Sequence, residues 1–122
     1  MAKTIMVVDD SASLRQVVAI ALKGAGYDIL EASDGKDALG KLTGQKVHLI
    51  VSDVNMPNMD GITMVKQIKQ MPAYKFTPVI MLTTESQEAK MNEGKAAGVK
   101  AWMVKPFKPD QMLAAVSKLV LP

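Results

Sequence analysis

The chain has 122 residues, of which 48% are hydrophobic and 22% charged, with no cysteine and a formal net charge of +3. That length suits one domain around one core, and the balance is that of an ordinary globular protein, which excludes disorder, disulfide scaffolds, thiol catalysis and cysteine-ligated zinc. Arg15 is the single arginine, and the lysines are scattered with no basic run interleaved with aromatics, so a solvated lysine-rich surface is expected and a nucleic-acid partner is not.

The N-terminal MAKTIMVVDD holds about four apolar residues in a row, against roughly 7–15 in a secretory signal and about 20 in a membrane span. A cytoplasmic protein with no membrane insertion is the expectation. Ile5–Val8 reads as a strand buried on both faces, because its apolar run is continuous rather than alternating. Leu14, Val17, Val18, Ala21 and Leu22 then follow the spacing of one helix face. Tyr27–Glu31 carries Asp28 and Glu31 and suits an edge strand. Ala38, Leu39 and Leu42 make a short helix behind a Ser33-Asp34 cap.

Val47–Val51 reads as a second doubly buried strand, with His48, the one histidine, as a packed structural residue. Ile62, Val65 and Ile68 mark a helix that ends near Pro72. Val79–Leu82 is a strand, and Glu85–Ala97 a helix whose apolar positions are mostly alanine, so it should be loosely anchored. Ala101–Val104 and a helix carrying Met112, Leu113, Val116, Leu119 and Val120 complete the chain. Strand and helix alternate five times, which predicts an α/β fold with a doubly wound parallel sheet and right-handed crossovers, in one domain spanning 1–122 with no output domain.

In such sheets ligands bind beyond the carboxyl ends of the strands. There the sequence places Asp9 and Asp10, then Asp53, then Thr83 and Thr84, and finally Lys105. Carboxylates brought together repel unless a proton or a cation sits among them. An all-oxygen set favours a hard cation such as Mg²⁺, with Mn²⁺ or another divalent ion as substitute. Lysine and metal together would leave Asp53 a plausible nucleophile for phosphoryl transfer.

Simpler roles exist for each residue. Asp9 and Asp10 could cap a helix, although capping needs only one acid. VSDVNMPNMDG brushes against a calcium-binding EF-hand loop, but its sixth position is Asn58 and its twelfth Met64. No glycine-rich nucleotide motif occurs. An aspartyl-phosphate hydrolase of the haloacid dehalogenase type would need an acid where Asn55 stands. A binding module that keeps the fold alone is the other alternative. Met56 and Met59, beside Asp53, also draw notice.

Asp9-Asp10, Asp53 followed by MPxMDG, Thr83 and Lys105-Pro106-Phe107, in this order, resemble the receiver domain of two-component response regulators, most closely the single-domain CheY-like chemotaxis type. The resemblance implies a five-stranded (βα)5 sandwich of strand order 2-1-3-4-5. It implies that Asp53 accepts phosphate from a sensor histidine kinase of the chemotaxis type. Asp10, Asp53 and the backbone carbonyl of Asn55 would hold Mg²⁺, with Asp9 acting largely through water.

It further implies that Lys105 contacts the phosphoryl group beside a cis bond to Pro106, and that Thr83 and Trp102 are the switching pair. Asn55 and Glu85 would tune phosphoaspartate lifetime. Trp102 stands where the family more usually has Tyr or Phe, and Thr84 where it often has Ala, Gly or Ser. The implied protein is a monomeric switch that catalyses only its own phosphorylation and slow dephosphorylation. The face made by its fourth helix, fifth strand and fifth helix would bind a downstream partner, with the flagellar motor switch as candidate and a phosphatase as a further partner. A phosphate sink or a non-motor regulator is the alternative within the family.

Overall fold

The computed structural model describes residues 2–83, 88–105 and 108–121. Its elements are β1 (Thr4–Val8), α1 (Ala12–Gly24), β2 (Asp28–Ala32), α2 (Gly35–Lys41), β3 (Leu49–Asp53), α3 (Gly61–Ile68), β4 (Val79–Thr83), α4 (Glu88–Ala97), β5 (Ala101–Val104) and α5 (Pro109–Leu119). All strand pairings are parallel, in the order β2-β1-β3-β4-β5. The expected doubly wound fold is present.

Successive strand side chains point to opposite faces, and each face has its own core. Met6, Val8, Ile50, Val79 and Met81 pack with α2 and α3 on one side. Ile5, Val7, Leu49, Val51, Ile80 and Leu82 pack with Val18 and Leu22 of α1 and Met112 and Val116 of α5 on the other. Two covered faces explain why the central strands are continuously apolar. β2 has a neighbour on one side only and carries exposed Asp28 and Glu31, as an edge strand should.

Boundaries and one helix face differ from expectation. β3 begins at Leu49 and runs through Ser52 to Asp53, both buried, rather than spanning Val47–Val51. His48 precedes it as a clamp: its Nδ1 accepts from the Thr4 amide at 2.9 Å, and its own amide donates to the Thr4 carbonyl at 2.8 Å. In α1 the buried residues are Val18, Ala19 and Leu22, while Leu14 and Val17 are 42% and 55% exposed. The inward stripe is 15, 18, 19, 22, and its first member is Arg15, whose charge hid the phase of the helix from an apolar count.

α4 begins at Glu88, and the expected start at 85–87 lies outside the described residues. Of its described residues only Gly94 is buried, in keeping with the weak anchoring read from its alanines. Because the chain winds outward in both directions from β1 and β3, a crevice opens above the carboxyl ends of these two strands.

Candidate functional site

Each residue of the crevice is held by local chemistry. Ser11, not an aspartate, caps α1: its Oγ accepts from the Leu14 amide at 3.3 Å. Asp9 Oδ1 accepts from the Ser11 amide at 2.9 Å, which turns the carboxylate back over the sheet. The capping reading of the two acids is thereby displaced. Arg15 Nη1 donates to the Asp9 carbonyl at 2.7 Å, and its Nε pairs with Glu31 at 3.0 Å, tying this turn to the edge strand.

The MPNMDG loop is equally specified. Asp60 caps α3 by accepting from the Thr63 amide at 2.7 Å. Gly61 must be glycine, because a Cβ there would collide with the Asp53 carbonyl oxygen and press on Met81. Asn58 takes the left-handed backbone at φ 67, which asparagine tolerates, and its Nδ2 donates to Asp34 Oδ2 at 2.9 Å. Met59 lies against Gly35, and Met56 is partly buried against the core, so both methionines have packing roles.

Ligand oxygens of Asp9, Asp10 and Asp53 lie within 4.8 Å of one another, with Asp9 and Asp53 buried and Asp10 exposed. Lys105 Nζ stands 3.4 Å from Asp9 Oδ2 and 3.3 Å from Asp53 Oδ2, with its side chain only 10% exposed. Its amide donates to the Thr83 carbonyl at 2.6 Å, so β4 positions the lysine, and Thr83 itself is buried. Asp53 Oδ1 accepts from the Val54 amide at 2.9 Å. Burial pushes the Asp53 carboxyl above the usual value of 3.8; Lys105 opposes that rise, and Asp9 adds to it.

Three carboxylates against one ammonium leave two formal negative charges in the cluster. An all-oxygen set with that surplus fits a hard divalent cation. The donors present are suitable for Mg²⁺.

Asn55 is exposed at the rim, and its Oδ1 accepts from Lys90 Nζ of α4 at 3.0 Å. Trp102 packs over Gly94, where an added Cβ would lie 2.8 Å from the ring, and its indole Nε1 is buried without a hydrogen-bond partner among the described residues. Thr84, Glu85, Pro106 with its bond to Lys105, and Phe107 lie outside the described residues. Structure thus brings Asp9, Asp10, Asp53 and Lys105 into one cluster, with Thr83 beneath it, Asn55 at its edge and Trp102 behind α4.

Sequence reasoning missed Arg15 and Lys90. The one signal at Arg15 was its being the lone arginine, since its inward position does not show in the apolar spacing. Lys90 carried none, since its partner is 35 residues away.

This doubly wound sheet carries three carboxylates and a largely buried lysine at its strand ends, a site suited to a cation and an anionic group, and the comparisons give its class. Residues 5–117 match the family model of the response regulator receiver domain, and the chain belongs to that family, the phosphorylation-dependent signalling switches of two-component systems. Receiver domains accept phosphate from histidine kinases, bind Mg²⁺ in an acidic pocket and are switches rather than conventional enzymes.

Among relatives, the chain is 38% identical to chemotaxis protein CheY1 of Helicobacter pylori, covering 96% of this chain and 95% of that one. It is also 38% identical to the alkaline phosphatase synthesis transcriptional regulatory protein PhoP of Bacillus subtilis, covering 98% of this chain but only 49% of the relative. Among solved structures, the chemotaxis response regulator CheY4 of Vibrio cholerae superposes with a TM-score of 0.92 at 43% identity, covering 98% of this chain and 100% of that one. No described helix is long and apolar enough to cross a membrane.

Proposed function

We propose that Asp53 is the phosphoacceptor of a chemotaxis-type receiver domain that works in the cytoplasm and as a monomer. The observation that carries this is Asp53 itself: a buried carboxylate at a strand end, facing Lys105 at 3.3 Å and sharing a cluster with Asp9 and Asp10. One Asp53 oxygen attacks the phosphorus of a kinase phosphohistidine, and the histidine nitrogen leaves. Lys105 pairs with a phosphoryl oxygen that replaces part of its present carboxylate contact.

Asp10, Asp53 and the Asn55 carbonyl would hold Mg²⁺, with Asp9 acting through water. The ion would supply neutralisation of the charge that gathers on the phosphoryl oxygens. Thr83 would then move toward the phosphoryl group and Trp102 would change rotamer, biasing the face formed by α4, β5 and α5 toward its partner. Asn55 and Glu85 set how readily water or a phosphatase reaches the phosphoaspartate. To move the population from mostly off to mostly on, phosphate must favour the on state by roughly 3–5 kcal/mol.

A chemotaxis role at the flagellar motor switch is supported by chemotaxis relatives of which this chain covers 83% to 95%. The transcriptional relatives are matched across only about half their length, 49% and 52%, which keeps a non-motor output or a phosphate sink as the second reading.

The test is intact-protein mass after incubation with acetyl phosphate and Mg²⁺. One phosphoryl group is expected, absent in Asp53→Ala and absent when the metal is chelated, with a concurrent change in Trp102 fluorescence. An unmodified wild-type mass would remove the phosphoacceptor assignment. Retention of the flagellar switch protein by the fluoroberyllate-treated form separates the motor role from the sink.

A further inference from the structure

Parallel strands put all their amino ends on one edge of the sheet, opposite the crevice. Four lysines sit just ahead of four of them: Lys3 before β1, Lys46 before β3, Lys75 before β4 and Lys100 before β5. Backbone bonds join these segments, Asp28 to Lys3, His48 to Thr4 and Lys100 to Val79. The helices end at the same edge, with Lys23, Lys95 and Lys118 in last turns and Lys69 as the cap of α3. None of these eight lysines makes an ion pair among the described residues.

Most acids go the other way. Among the described acids, Asp9, Asp10, Glu31 and Asp53 sit at or beside strand carboxyl ends and Asp34, Asp37, Asp60 and Asp110 at helix starts, while Glu93 pairs with Lys66 midway along α4 and Asp28 faces the lysines. Helix dipoles account for lysines in last turns. They do not account for the strand-leading four, which lie beyond the helix ends. The crowding is felt within the protein: burial lowers the Lys69 ammonium from its usual 10.5, and the charge of Lys100 lowers it further.

An apolar tip stands among these charges. Phe76 is 78% exposed, with Lys75 Nζ 5.0 Å from its ring centre, and neighbouring Pro72 and Ala73 are exposed too. We propose that this lysine edge, with Phe76 as its anchor, adsorbs the protein to an anionic lipid surface, leaving the acidic crevice facing away and open to phosphodonors.

Other polyanions fit less well. Among the described residues the cations identified at this edge are lysines, hydrated point charges suited to a diffuse negative surface, whereas nucleic-acid recognition draws on arginine forks and stacked aromatics. One exposed ring is no stacking platform, but it is what an interface anchor requires.

The experiment is co-sedimentation with vesicles of phosphatidylcholine containing about 30% phosphatidylglycerol, beside vesicles of phosphatidylcholine alone. Binding to the anionic vesicles only is expected, lost at about 0.5 M salt. Each lysine neutralised should weaken it about fivefold. The variant K3Q/K46Q/K75Q/K100Q should therefore lose more than about a hundredfold, and Phe76→Ala several-fold. K75Q/K100Q serves if the quadruple variant does not fold, as judged by circular dichroism.

No binding to the anionic vesicles, binding undiminished in these variants, or tighter binding to duplex DNA than to the vesicles would each overturn the proposal. Phosphate uptake by Asp53 should be intact in all the lysine variants, so this result and the reading of the crevice stand or fall separately.

Discussion

Asp53 is buried beside another carboxylate, and Lys105 offsets only part of the cost of ionising it. The folded protein therefore binds that proton more tightly than the unfolded chain does. The resulting penalty is absent below the ordinary value near 3.8, grows as pH rises through the interval up to the folded value, and is constant above it. Without divalent metal, Asp53→Asn should remove this loss: the stability difference between variant and wild type, read by urea unfolding, should grow in favour of the variant between acid and neutral pH. Lys105→Met should act oppositely. It leaves two largely buried carboxylates without their counter-charge, and a loss of about 3–5 kcal/mol is expected, reduced when Mg²⁺ is added. A loss unaltered by metal would separate the lysine from the acid cluster.

Among the described residues α4 is weakly anchored. Gly94 packs against Trp102 and Ala97 against the core, while Lys66–Glu93 and Lys90–Asn55 join its exposed side to α3 and the site loop. Exposed pairs of this kind contribute little, so α4 amides should exchange faster with deuterium than those of β1, β3 and β4. Gly94→Ala places a methyl group 2.8 Å from the ring edge of Trp102. A cost of about 1–3 kcal/mol is expected, with a shift of the tryptophan emission in the resting state; an unmoved spectrum would mean that α4 yields and the ring does not. The sequence made α4 legible as weak through its alanines, but not the glycine on which the tryptophan rests. That contact depends on the angle at which α4 crosses β5, which no local pattern encodes. In α1 the periodicity was legible and its phase was not, because Arg15 occupies an inward position through hydrogen bonds rather than apolar area.

At the scale of the whole molecule, charge is partly sorted along the strand direction: most described acids lie toward the crevice, and eight of the fourteen lysines gather at the opposite edge, with Lys105 and Lys90 kept at the crevice. Mg²⁺ should bind the folded acid cluster and not the unfolded chain. At one hundred times its dissociation constant it should raise stability by about 2.7 kcal/mol, seen as a higher unfolding midpoint that Asp53→Ala abolishes. The lysine edge should leave that increment untouched.

Strand number, the parallel class and the identity of the residues at strand ends were determined by the sequence alone, because apolar runs and their spacing are local and periodic. Asp9, Thr83 and Lys105 directly follow such runs, and Asp53 stands one residue beyond its own. Which lysines gather, that Ser11 frees the two aspartates from capping, and that Arg15, Lys90 and Gly94 brace the site were decided only by tertiary structure. Those facts rest on distances between segments remote in the chain, and such distances exist only once the sheet has assembled.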